Sequence, residues 1–94
     1  MNDYFNYAKQ TADGQVKSGQ GVLHSVTFAA TGTVTAGVIT LYDSLTEAGT
    51  QIWSGTIQVA LNPTTILFDV KFGTGLYVGY DGTIANVSTT TSFK

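Results

Sequence analysis

The sequence predicts one all-β domain, an antiparallel sandwich or barrel of about seven short strands, and three observations predict it. Thr recurs throughout (Thr31, Thr33, Thr35; Thr64, Thr65; Thr89, Thr90, Thr91) beside Val, Ile, Tyr and Phe, residues that fit a pleated, half-buried surface. Eleven glycines and a single proline, Pro63, punctuate the strand-like runs at intervals of about ten residues. No stretch of about a dozen residues places apolar side chains at i, i+3, i+4 and i+7 free of Gly or β-branched clusters, so little or no helix is predicted.

The elements follow in order. Asp3 to Lys9 alternates weakly, with Tyr4 and Asn6 on one side and Phe5 and Tyr7 on the other, and residues 1–14 read as an N-terminal arm ahead of a single domain over 15–94. The arm has two readings, an aromatic segment that docks onto a partner or an edge strand of its own subunit. A turn at Ala12-Asp13-Gly14 leads to Gln15–Ser18, and Gly19-Gln20-Gly21 to the run ending at Phe28. Strict alternation there puts Val22, His24, Val26 and Phe28 on one face and Leu23, Ser25 and Thr27 on the other.

Gly32 and Gly37 bracket a Thr-rich connection to Val38–Asp43, in which Ile39 and Leu41 look inward. After a polar loop over Ser44–Gly49, the run Gln51–Leu61 aligns Trp53, Ile57, Val59 and Leu61, and Gly55 in that row marks a bulge or a close neighbour. Asn62-Pro63 is a turn. Ile66, Phe68, Val70 and Phe72 then alternate with Leu67, Asp69 and Lys71, the clearest strand of the chain. Leu76–Tyr80 follows the Gly73-Thr74-Gly75 break, Asp81-Gly82 reads as a hairpin turn with Thr83–Val87 pairing back across it, and Ser88–Lys94 is a polar tail. The expected core is Ile39, Leu41, Trp53, Ile57, Phe68, Val70 and Leu76. Pattern alone does not separate jelly-roll from immunoglobulin-like strand orders.

Bulk properties narrow the function classes. Ninety-four residues bury only about 60–65% of the unfolded surface, and with no cysteine to form a disulfide, a subunit interface is the natural source of added stability. Only 11% of residues are charged, the four basic ones all lysines, and the net charge is −2. Such a chain lacks the basic stripe that a phosphate backbone needs, so nucleic acid is not an expected partner. No apolar run reaches the ~20 residues of a membrane span. Met1-Asn2-Asp3-Tyr4 carries neither the basic nor the apolar region of a secretory signal, so a chain made in the cytoplasm without a leader is expected.

The chemical inventory is short. His24 is the single histidine, and it reads as a structural or interface-facing residue. No G-x-S-x-G elbow, D-x-D-x-D calcium run or phosphate loop is present. Asp43 and Asp81 suit turn chemistry, and Asp69 with Lys71 reads as an exposed or cross-strand charge pair. No catalytic residue, cofactor or metal is expected. Thr27, Thr40, Tyr42 and Tyr77 lie on outward rows, polar and uncharged, and such a surface suits subunit packing, carbohydrate contact or plain solvent.

The ordered elements Gly21-Val22-Leu23-His24-x-Val26-x-Phe28, Gly37-Val38-Ile39-Thr40-Leu41-Tyr42-Asp43, Gly49-Thr50-x-Ile52 and Phe68-Asp69-Val70-x-Phe72-x-Thr74-Gly75-Leu76-Tyr77-Val78 resemble small virion proteins of tailed bacteriophages. In particular they are similar to the β-sandwich proteins that decorate or cement phage heads, and to head-fibre modules, over residues 15 to 92. The resemblance implies a jelly-roll-like sandwich of seven or eight short strands, a homotrimer, and the major capsid protein as partner on a virion surface. On that expectation Tyr4, Phe5, Tyr7, His24, Tyr42 and Tyr77 supply capsid or subunit contacts. The alternative is a tail- or fibre-associated carbohydrate- or receptor-binding module in which Tyr42, Trp53, Tyr77 or Tyr80 stacks on sugars.

Overall fold

In a computed structural model, which describes residues 5–35, 37–57, 64–81 and 84–94, the chain is an eight-stranded antiparallel β-sandwich. The strands are β1 (Asn6–Gln10), β2 (Gly14–Ser18), β3 (Gly21–Thr35), β4 (Gly37–Asp43), β5 (Thr50–Ile57), β6 (Thr64–Phe72), β7 (Gly75–Tyr80) and β8 (Ala85–Phe93). They form two four-stranded sheets, β1-β8-β3-β6 and β2-β7-β4-β5, called here the first and second sheet. The pairs β1·β8, β2·β7, β3·β6 and β4·β5 are those of one long antiparallel hairpin, and β3·β8 and β4·β7 appear when that hairpin is wound into two layers. This is jelly-roll order. Only β4 and β5 are neighbours both in sequence and in a sheet.

The core lies between the layers. Leu23, Val26, Phe28 and Val87 from the first sheet meet Ile39, Leu41, Ile57, Leu76 and Val78 from the second, all buried. Of the expected core, Ile39, Leu41 and Leu76 are fully enclosed and Ile57 is buried, while Trp53, Phe68 and Val70 pack half-buried against them. Trp53 stacks on Phe28 at 5.4 Å and meets Phe68 edge-on at 6.3 Å. Its indole lies over Gly55, whose missing side chain makes the room. Val59, Leu61, the Asn62-Pro63 turn, Tyr4 and Gly82-Thr83 lie outside the described residues.

Several elements differ from the sequence reading, each for a physical reason. Within the segment read as an arm, Asn6–Gln10 pairs with β8 and is the edge strand β1, the second of the two readings. The Thr-rich connection after Phe28 continues β3 as far as Thr35. The polar tail is β8, and it is a central strand rather than a tail. Its inward threonines find hydroxyl partners: Thr89 and Thr91 are fully buried, Thr91 Oγ1 donating to the Ala8 carbonyl and Thr89 Oγ1 lying 2.6 Å from the Tyr80 hydroxyl. The hairpin expected at Asp81-Gly82 does not form, because β7 and β8 belong to different sheets. A turn signal marks a reversal of direction and says nothing about which layer the chain enters next.

The face assignment in β3 also changes. Between Leu23 and Ser25 the register slips against both neighbours, so His24 is an extra residue beside β8 and faces two residues, Phe68 and Asp69, of β6. Leu23 therefore joins Val26 and Phe28 inside, three positions from the former, while His24 and Val22 are half-buried. Asp69 completes the bulge with φ of 49°, a left-handed conformation that Asp tolerates better than most residues.

Candidate interaction surfaces

The six residues expected to make contacts fall on two surfaces at opposite faces of the sandwich, apart from Tyr4, which lies outside the described residues. Tyr7 and His24 belong to the first sheet, with Phe5 just ahead of β1 stacked on His24, and Tyr42 and Tyr77 belong to the second.

On the first sheet, register aligns Tyr7, Ser92, Ser25 and Leu67 in one row across all four strands. The next outward row is Lys9, Thr90, Thr27 and Thr65, with a 2.9 Å bond between the Thr27 and Thr65 hydroxyls. Between these rows runs the inward row Ala8, Thr91, Val26 and Ile66, which fixes the other two as outward. Tyr7 is 79% exposed and Leu67 68%, so two large apolar side chains stand at opposite edges of a hydroxyl-lined strip.

One corner of this face is organised by the bulge. His24 Nδ1 lies 2.5 Å from Asp69 Oδ1, the Phe5 ring stacks on the imidazole at 4.3 Å and 13°, and the Lys94 ammonium sits 5.2 Å from the Phe5 centroid. Asp69 thus reaches across the sheet to His24, where the sequence reading had paired it with Lys71. Lys94 is held by mutual backbone bonds with Val22. The assembly anchors Phe5, just ahead of β1, to the corner of the first sheet, so His24 acts here as a stacking and hydrogen-bonding post.

On the second sheet, the outward row is Gln15, Tyr77, Tyr42 and Gln51. The two tyrosines meet edge to face at 6.4 Å and 65°. Glu47 from the β4–β5 loop lies over Gly79, next to the Tyr42 ring and near Asp13 of the β1–β2 turn. Desolvation by its neighbours first, then the charges of Asp13 and Asp81, push the exposed Glu47 carboxyl above its ordinary range. Partial burial, followed by Asp13 and Glu47, raises the Tyr77 phenol likewise. Thr27 sits on the other sheet, and Thr40, expected beside Tyr42, is buried with its hydroxyl 3.0 Å from that of Ser54. Trp53 and Tyr80, the other proposed sugar stackers, point into the core.

Two carboxylates have structural tasks that sequence spacing does not reveal. Asp43 accepts backbone N–H bonds from Gly73, Thr74 and Gly75 at 3.0, 2.8 and 3.3 Å, capping the β6–β7 turn thirty residues away, and the first two of those bonds hold its carboxyl below the usual range. Asp13 Oδ1 accepts the Tyr80 N–H at 2.5 Å. Asp13 also lines a cleft of about 300 Å³ with Thr11, Ala12, Tyr80, Asp81 and Ile84. Among the described residues no three His, Cys, Asp or Glu side chains converge on a metal position, and no helix is long and apolar enough to cross a membrane.

The fold and these surfaces define the class, an eight-stranded jelly-roll sandwich whose outward rows are mostly hydroxyl, amide and tyrosine side chains. Comparison with family models, with curated proteins and with solved structures finds no match for the chain.

Proposed function

We propose that this chain is a non-enzymatic virion structural protein that decorates and stabilises a phage capsid surface, working as an oligomeric cement protein. The observation that carries the reading is the outward strip of the first sheet. Tyr7 and Leu67 stand exposed at its two edges and Ser25, Ser92, Thr27, Thr65 and Thr90 fill it, with few charges to desolvate. Such a strip forms contacts by area and hydroxyl bonding, which suits a protein whose task is to add buried surface across capsomer boundaries. The Phe5–His24 anchor roots the N-terminal segment at the same face, so arm and strip act on one partner, the major capsid protein. A homotrimer is the assembly in this reading, and low charge limits repulsion around its axis.

The test is binding to bare heads. Tyr7→Ser combined with Leu67→Ser leaves the fold intact, because both side chains are exposed, and weakens head binding at least tenfold on this reading. Removing residues 1–4 spares β1 and reports on the arm separately. Undiminished binding of both variants, or a handful of copies per virion rather than hundreds, refutes the proposal.

A further inference from the structure

The second sheet carries a row on which the strip of the first sheet does not draw. Gln15, Tyr77, Tyr42 and Gln51 come from four different strands and stand directly opposite one another. With strands about 4.8 Å apart, the row runs about 14 Å, the length of a short oligosaccharide.

Its placement depends on two bulges. The β2·β7 register shifts between Gln15 and Lys17, leaving Val16 extra. The β4·β5 register shifts between Leu41 and Tyr42, leaving Ile52 extra. Each slip lies beside the row, one on each edge strand. Continued without them, the ladders would pair Tyr77 and Tyr42 with other residues. Bulges at sheet edges re-aim side chains in this way.

The side chains brought together are complementary to one chemistry. Two aromatic rings offer faces and edges to the C–H surfaces of a sugar, and the terminal amides both donate and accept hydrogen bonds. Beside the row, Gly79 leaves a floor with no side chain, over which the Glu47 carboxyl lies against Tyr42. Asp13 and Asp81 both lie close enough to act on the Glu47 carboxyl. That border repels anionic ligands and accepts hydroxyl donors. The geometry points to a binding site for a neutral oligosaccharide, laid along Gln15, Tyr77, Tyr42 and Gln51 on the outer face of the second sheet.

The site is independent of the capsid-facing strip, which lies on the other sheet, so the two readings fail separately. NMR titration of the full chain with cellotetraose, maltotetraose and chitotetraose supplies neutral probes, and lactose against 3′-sialyllactose supplies the charge comparison. A neutral probe is expected to shift the signals of the four row residues saturably. Tyr42→Ala and Tyr77→Ala each weaken binding by about tenfold or more, and Tyr7→Ala on the opposite sheet has no effect. Should either alanine variant unfold, Gln15→Ala and Gln51→Ala at exposed positions give the same reading, with losses of several-fold. The inference is overturned if none of the neutral probes gives saturable shifts, if the shifts map to the first sheet, or if sialyllactose binds as well as lactose. It is equally overturned if calcium ions alone move the row signals while the sugars do not.

Discussion

Tyr80→Phe is the most informative single change in this fold. Tyr80 belongs to the second sheet, but its hydroxyl crosses the core to the first, where it lies 3.0 Å from the Gln10 carbonyl, 2.9 Å from the Val87 carbonyl and 2.6 Å from Thr89 Oγ1. It is a polar peg between two layers otherwise joined by apolar packing. The hydroxyl donates one proton and accepts one from Thr89, so the substitution removes about two hydrogen bonds, each worth ~1 kcal/mol net, and leaves buried acceptors unpaired. The ring stays, so no cavity beyond one oxygen opens. The expected loss is about 2–3 kcal/mol, or about 10–20 °C in Tm for a domain of this size. With m of about 1–3 kcal/mol/M, the urea midpoint falls by ~1–2 M. Thr89→Val removes the other half of the shortest bond, and the double variant is expected to lose less than the sum, with a coupling of about 0.5–1.5 kcal/mol. Burial, chiefly, raises the Tyr80 phenol above its ordinary 10.0. Its contribution is therefore intact below that pH and lost as pH rises through the folded value, and Tyr80→Phe removes this alkaline limb. A Tyr80→Phe protein within ~0.5 kcal/mol of the parent by urea titration would refute the peg.

Other consequences can be checked in the same way. Asp43→Ala strips three N–H groups of their acceptor and is expected to cost about 1–2 kcal/mol by urea titration. Because the folded Asp43 carboxyl is depressed, its contribution is complete above about pH 3.8 and disappears as pH falls through the lower folded value, so the variant's deficit shrinks in strong acid. Glu47 has the opposite sign: its carboxyl is raised, so stability declines as pH climbs from the usual 4.5 through the folded value, and Glu47→Gln flattens that segment of the profile. Gly55→Ala drives a methyl into the Trp53 indole, and a loss of about 1–3 kcal/mol with a red-shifted tryptophan emission is expected. Asp69→Ala loses the bond to His24 and places a poorer residue at positive φ, with an expected cost of about 1–2 kcal/mol and new proteolytic sensitivity at the chain's start.

The contact surfaces were partly legible in sequence. Tyr42 and Tyr77 stand out together in the sequence, and the structure sets them edge to face. Phe5 and His24 were singled out for separate reasons and prove to be stacked. Nothing local announces Leu67 as the partner of Tyr7 across the strip, since an apolar residue in an alternating strand reads equally as core. Gln15 and Gln51 gave no signal either, because an amide gains meaning only beside the tyrosines that the register supplies.

Local chemistry determined the all-β class and most inward positions in β4, β6 and β7, because side chains in a strand alternate with period two whatever the strand pairs with. Tertiary structure decided the rest. The rolled hairpin sets which strands meet, and that pairing joins residues as far apart as Asn6 and Phe93. It made the polar C-terminal run a central strand, because Thr hydroxyls can be buried once Tyr80 and the Ala8 carbonyl receive them. It also turned His24 out of the row it shared on paper with Val26 and Phe28. A bulge is a mismatch between two strands, so it exists only once both are in place.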